Sequence, residues 1–243
     1  MTDGVWCFRR PSYFACSYVV ADHSGVIAID AGMDSHAGDF LEGMQAAGLS
    51  PDLLRAVLLT HWHNDHAAGA AFLKERFAAR VYYHNSDIPW LTRRTATNSI
   101  RAWFGRHIPE EGVLVLLRGL LEDASPEAVE ADCLVSDGEA IEGVFRVLTA
   151  PGHTPGHVAY FHEPTRALFC GDALAVVKHR IRLLARPVTP DLTEARRSAI
   201  KCLREEPDFL CPGHRRPLSQ NVRQECRQLR AYLEGGGRWP LLG

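Results

Sequence analysis

The chain has 243 residues, 46% hydrophobic and 23% charged, a balance that excludes a mainly disordered or fibrous protein. Its 27 Lys and Arg against 29 Asp and Glu leave a formal net charge of −2, so no basic excess points to nucleic acid. Seven cysteines without a CxxC or framework spacing read as reduced thiols, and no leader-like or ~20-residue apolar stretch is visible. The expected setting is cytoplasmic, with neither a nucleic-acid nor a membrane partner.

In chain order, 4–10, 13–20 and 25–30 read as short strands rich in Val, Ile, Tyr and Phe. Asp30-Ala31-Gly32 closes the third in a turn. Residues 36–48 carry Phe40, Leu41 and Met44 at near-helical spacing, with Gly48 suited to the helix end. Pro51 opens a short helical turn, and Ala56–Thr60 is a continuous apolar run of buried-strand length. After a histidine-rich junction, 67–78 reads as helix and 80–84 as strand, so strands and helices alternate and an α/β layer architecture follows. Residues 86–132 mix Trp90, Trp103, Phe104 and an apolar run at 113–121 with several arginines. They predict a helical insertion that either completes the core or forms a lid. Strand signals return at 133–138, 143–150, 157–163 and 166–172. A helix follows at 193–206, a strand at 209–211 and a closing helix at 219–236. No linker or repeat divides the chain, and a single domain over 1–243 is expected.

The 12 histidines are the one compositional oddity. Thr60-His61-Trp62-His63-Asn64-Asp65-His66 lies between a strand and a helix. In extended chain His61 and His63 point the same way and can reach one metal ion. As the chain turns, Asp65 and His66 can address a second. Several imidazoles with a few carboxylates suit borderline transition metals such as zinc. Three later positions repeat the pattern of a ligand-type residue beside glycine just after a strand: Gly152-His153-Thr154-Pro155-Gly156-His157, Gly171-Asp172 and Gly213-His214.

With Asp30-Ala31-Gly32, HxHxDH at 61–66, GHTPGH at 152–157, Gly171-Asp172 and Gly213-His214 in this order, the chain resembles the metallo-β-lactamase superfamily over most of its length. The resemblance implies a four-layer αβ/βα sandwich with the site at one edge. It implies that His61, His63 and His153 hold one metal, that Asp65, His66 and His214 hold another, and that Asp172 bridges both. Asp30, Thr60 and His157 would then support the ligands or fix turns. Two divalent ions are implied, zinc first, with iron or manganese as alternatives, and a hydroxide shared by them would attack the substrate. Asp65 is expected to orient that hydroxide or relay a proton.

Departures from branches of the family narrow the chemistry. Flavodiiron-type members usually carry Glu where His63 stands, and true zinc β-lactamases lack the aspartate that Asp172 supplies. Many acyl-homoserine lactonases place a tyrosine a few residues past that aspartate, where this chain has Ala173-Leu174-Ala175. Glyoxalase II shares both histidine motifs, but its longer glutathione-binding tail has no clear match after His214. The expectation is a hydrolase of a small ester, thioester or lactone. A mononuclear-iron enzyme resembling persulfide dioxygenases, or a metal-binding sensor without turnover, is the alternative. Arg223, Arg227 and Arg230, at helical spacing near the end, read as a solvated face. Cys170 and Cys211 read as small buried hydrophobes.

Overall fold

The structure is a computed structural model that describes residues 4–10, 14–92 and 127–241. Two sheets carry it. The first takes β1 (Val5–Arg9), β2 (Cys16–Asp22), β3 (Gly25–Ile29), β4 (Leu54–Leu58), β5 (Arg80–His84) and β6 (Cys133–Val135) in that spatial order. β1 to β3 form an antiparallel meander, whereas β3 to β6 run parallel. Parallel neighbours need crossovers, which α1 (Gly38–Ala46) and α3 (Ala70–Phe77) provide. The second sheet is built from β7 (Ala140–Ile141), β8 (Phe145–Thr149), β9 (Val158–His162), β10 (Ala167–Gly171) and β13 (Phe209–Pro212), in the order β13-β10-β9-β8-β7.

Three apolar clusters define the layers. Val19, Val57 and Val81 of the first sheet pack with Phe40 and Met44 of α1 and Leu73 of α3. Ile27, Leu58 and Tyr18 meet Phe145, Val147 and Phe169 between the two sheets. Leu148, Phe161 and Leu168 face α5 (Leu192–Arg204) and α6 (Val222–Glu234) on the far side. The alternation of Ile27 and Ile29 inward with Val26 and Ala28 outward splits one strand between two cores. The result is the expected order of helices, sheet, sheet, helices.

α5 shows why the outer layer forms. Asp191 caps it by accepting from the Thr193 and Glu194 amides, both at 3.0 Å. Ala195, Ser198, Ala199, Cys202 and Leu203 then line its buried stripe. The helix read over 67–78 is α3, and a separate one-turn α2 (Asn64–Ala67) that precedes it carries Asp65 and His66. Of the insertion expected over 86–132, residues 93–126 lie outside the described residues. α4 (Ile88–Leu91) is the described helix within that span. A two-stranded hairpin, β11 (Ala175–Val177) with β12 (Arg180–Arg182), has no counterpart in the sequence reading. Among the described residues no helix is long and apolar enough to cross a membrane.

Candidate metal centre

Strand ends from both sheets converge on one edge. The chain leaves β4 through Thr60, His61 and His63 into α2, leaves β8 into the loop holding His153 and His157, leaves β10 at Asp172 and leaves β13 at His214. All seven expected ligand residues meet there. His61 Nε2 lies 3.1 Å from His63 Nδ1, and His153 Nε2 lies 2.9 Å from that same atom. His214 Nε2 is 3.3 Å from Asp172 and 3.4 Å from Asp65, while His66 Nε2 is 3.7 Å from each of these carboxylates. Three groupings, His61-His63-His153, His61-His66-Asp172 and Asp65-His66-His214, bring their donor atoms within 4.8 Å of one another.

The groups behind them decide which ring nitrogen faces inward. Asp30 accepts from the Thr60 amide at 2.8 Å and from the Thr60 hydroxyl, and its Oδ2 takes the His66 Nδ1 proton at 2.7 Å. With its own proton committed to Asp30, the Thr60 hydroxyl accepts from His61 Nδ1 at 3.0 Å, leaving the Nε2 lone pair of His61 free. His153 Nδ1 donates to the Val188 carbonyl at 2.6 Å, which frees its Nε2 likewise. His157 Nε2 accepts the Asp172 amide at 2.9 Å, so this ring fixes the aspartate's backbone and is turned away from the donor groupings. Asp30 holds φ at +60°, a left-handed turn that an Asp tolerates, and this aims its carboxylate at Thr60 and His66.

The electrostatics divide the cluster. Burial, reinforced by neighbouring imidazoles, holds His61 well below its ordinary pKa, brings His63 to about 4 and His157 to about 3. These rings are neutral near pH 7, the state a metal ligand requires. Burial would also lower His66 and His214. The Asp65, Asp30 and Asp172 carboxylates outweigh it and raise them to about 10 and about 9. Burial opposes ionisation of Asp172, yet His214, His153 and His66 keep it well below the carboxylate range. The donor set fits divalent ions. His66 Nε2 is buried without a hydrogen-bond partner, three ring nitrogens crowd together, and two carboxylates stand opposite them.

Asp87 was not legible in the sequence. It is 1% exposed, and its carboxylate accepts from the amides of Gly156 at 2.8 Å and Trp62 at 3.1 Å and from the Thr154 hydroxyl at 3.3 Å. It thereby ties the His61–His63 segment to the His153–His157 loop. Burial raises it to about 6 despite those three donors. Gly156 has no room for a side chain, because a Cβ there would run into the Asp87 carboxyl.

A cavity of about 1010 Å³ opens onto His63, Asp65, His153, Asp172 and His214. Trp62 and Trp90, stacked at 5.5 Å and 11°, form one side. Leu174, Val177 and the segment from Leu183 to Pro190 form the other, with Phe14 and Arg215 at its border. The hairpin and the 183–190 segment are thus the pocket wall that the sequence reading left unassigned.

The profile of the metallo-β-lactamase superfamily matches residues 13–214. The chain is 28% identical over 221 residues to the probable metallo-hydrolase YflN of Bacillus subtilis, covering 85% of this chain and 81% of that protein. It is 32% identical over 125 residues to a hydroxyacylglutathione hydrolase of Pseudomonas aeruginosa, covering 50% of this chain and 33% of that one. Among solved structures, the metallo-β-lactamase family protein TTHA1429 of Thermus thermophilus superposes with a TM-score of 0.67 at 25% identity, covering 96% of this chain and 80% of that one. TTHA1623 in a di-iron-bound form gives 0.65 at 25% identity, over 91% and 98%. A four-layer α/β fold, five imidazoles and two carboxylates at one sheet edge and these matches agree: the chain belongs to the metallo-β-lactamase superfamily.

Proposed function

We propose that the protein is a metal-dependent hydrolase of a small ester, thioester or lactone with an apolar acyl part. The convergence of seven ligand-type side chains at the base of a largely apolar cavity carries this reading. His61, His63 and His153 would hold one ion, Asp65, His66 and His214 the other, and Asp172 would lie between them. Zinc suits this imidazole-rich set; the di-iron form of TTHA1623 makes iron the competitor to test. Two divalent ions in these positions would lower the pKa of a bound water and polarise the substrate carbonyl.

The chain's own residues supply the rest. Trp62, Trp90, Leu174 and Val177 would take the acyl part and exclude water around it. Asp65, a quarter or less exposed at the pocket, is the carboxylate positioned to receive the proton of the attacking water and pass it to the leaving oxygen or sulfur. In hydrolysis a carbon–oxygen bond forms to water, the bond to the leaving atom breaks, and that atom takes the proton. Seven free cysteines agree with a reducing, cytoplasmic setting.

The test is turnover of p-nitrophenyl esters, acyl thioesters and lactones by protein loaded with zinc, iron or manganese, alongside metal analysis of protein purified without additions. Hydrolysis of one class by the zinc form is the expected result. No turnover across the panel in any metal form would overturn the reading.

A further inference from the structure

The segment Leu183–Pro190 has a second side. Trp239 Nε1 donates to the Leu184 carbonyl at 2.8 Å and the Arg186 amide donates to the Pro240 carbonyl at 3.2 Å, so residues 239–240 brace this wall from behind. Val177 and Leu183 line the metal pocket and also a second cavity of about 560 Å³, which Arg180, Arg182, Tyr232 and Arg238 border. Arg238 borders a third, of about 460 Å³, together with Arg186, Arg196 and Arg197. Six guanidiniums therefore surround two adjoining hollows in a chain whose net charge is −2.

Their partners divide these six. Arg180 is held by Glu225 at 2.6 Å, Arg197 by Glu194 at 2.5 Å, and Arg196 donates to the Leu233 and Gly237 carbonyls. The side chains of Arg182, Arg186 and Arg238 have no hydrogen-bond or ion-pair partner among the described residues. The outer face of α6 behaves differently: Arg223 pairs with Asp208 at 2.7 Å, and Arg227 and Arg230 pair with Glu206 at 2.8 and 3.4 Å. Three guanidiniums without a partner among the described residues thus border the hollows that adjoin the metal pocket. Three unpaired guanidiniums exceed what one carboxylate satisfies, and their fork geometry suits phosphate oxygens.

We infer that these hollows bind the phosphate groups of a nucleotide-type thiol carrier, whose acyl thioester reaches over Val177 and Leu183 to the metal centre. The inference rests on the thioester branch of the function proposed above. In the reaction water adds to the thioester carbonyl, the carbon–sulfur bond breaks, the carrier leaves as its thiol with the water proton, and nothing is oxidised or reduced.

Coenzyme A thioesters are the probe, compared with the same acyl group on N-acetylcysteamine, which lacks the nucleotide. With zinc-loaded protein, kcat/KM is expected to be at least about tenfold higher for the coenzyme A thioester. The R182E/R238E variant should erase that preference, chiefly through KM, and leave the truncated thioester unchanged; added salt should weaken the preference in the wild type. R182Q/R238Q serves if the first variant melts early. Equal kcat/KM for the two thioesters, or equal loss on both in the folded variant, would overturn the inference. Calorimetric titration of free coenzyme A separates it from the parent reading. Binding that R182Q/R238Q abolishes supports the phosphate site even if no thioester is hydrolysed. Absence of binding overturns the site even if p-nitrophenyl esters are.

Discussion

Asp87 reaches three hydrogen-bond donors on two separate loops, and among the described residues none of its partners is a cation. Its pKa is raised by burial from 3.8 to about 6, so the folded chain holds its proton longer than the unfolded chain does. A raised carboxylate contributes stability that is complete below the ordinary carboxylate range and lost as pH rises through the folded value. Asp87→Asn cannot titrate. In urea unfolding of the metal-free proteins, wild-type stability relative to Asp87→Asn should therefore fall by about 1–3 kcal/mol between pH 4.5 and 7. A difference that stays flat across that window would show that Asp87 does not titrate there.

The two carboxylates of the cluster make different demands. Asp172 is backed by the His157 ring and touches His66, His153 and His214, whereas Asp65 faces His66 and His214 at the pocket. Asp172→Ala should lower the affinity for both ions, read as metal content after chelator challenge. Asp65→Asn should lower kcat by about 100-fold or more when metal is replenished, through loss of the proton relay. Undiminished turnover in the refilled Asp65→Asn protein would remove that role.

At the scale of elements, Gly213, directly after β13, packs against the site. Its amide donates to the Gly171 carbonyl and its carbonyl accepts from the Cys16 amide, each at 2.8 Å, so its backbone is clamped between strands. A Cβ there would run into the Asp172 carboxylate and come within 2.6 Å of His66 Cε1. On the proposed two-ion reading, Gly213→Ala should displace both groups and weaken the Asp65-His66-His214 half, while the His61-His63-His153 half would keep its ion. Elemental analysis of the dialysed variant should fall from two metals towards one; two tightly held ions would contradict the geometry.

The strands and helices that build this edge were legible because each is long or strongly patterned: β5 lies at 80–84 as read, and α6 repeats its buried positions at helical spacing. The histidine motifs were legible because ligand types cluster in sequence. The pocket wall was not, since β11 and β12 have three residues each, too few for alternation to register, and the segment after them mixes Leu, Arg and Pro. Asp87 escaped for another reason. Its partners lie 25, 67 and 69 residues away, and in the local sequence Asn-Ser-Asp-Ile-Pro it reads as an ordinary helix start.

The whole molecule gathers its cost in one place. Asp30, Thr60, His61, His66, His157 and Asp172 are all buried, and the cluster joins both sheets through β4, β8, β10 and β13. Without a cation, His66 and His214 hold protons against Asp65 and Asp172, and His66 Nε2 is left without a hydrogen-bond partner. Ions that bind the folded chain and not the unfolded one stabilise it by mass action, by about 4 kcal/mol per site at a thousandfold excess over Kd. For a chain of this length each kcal/mol moves Tm by about 2–4 °C. Removing metal with a chelator should therefore lower Tm by about 8 °C or more, and returning zinc should restore it. The shift should shrink in His61→Ala, which cuts one leg of the three-histidine grouping, and persist in Arg223→Ala on the outer face of α6. A chelator-treated protein that melts with the zinc-loaded one would mean that the two sheets meet at this edge without any help from a cation.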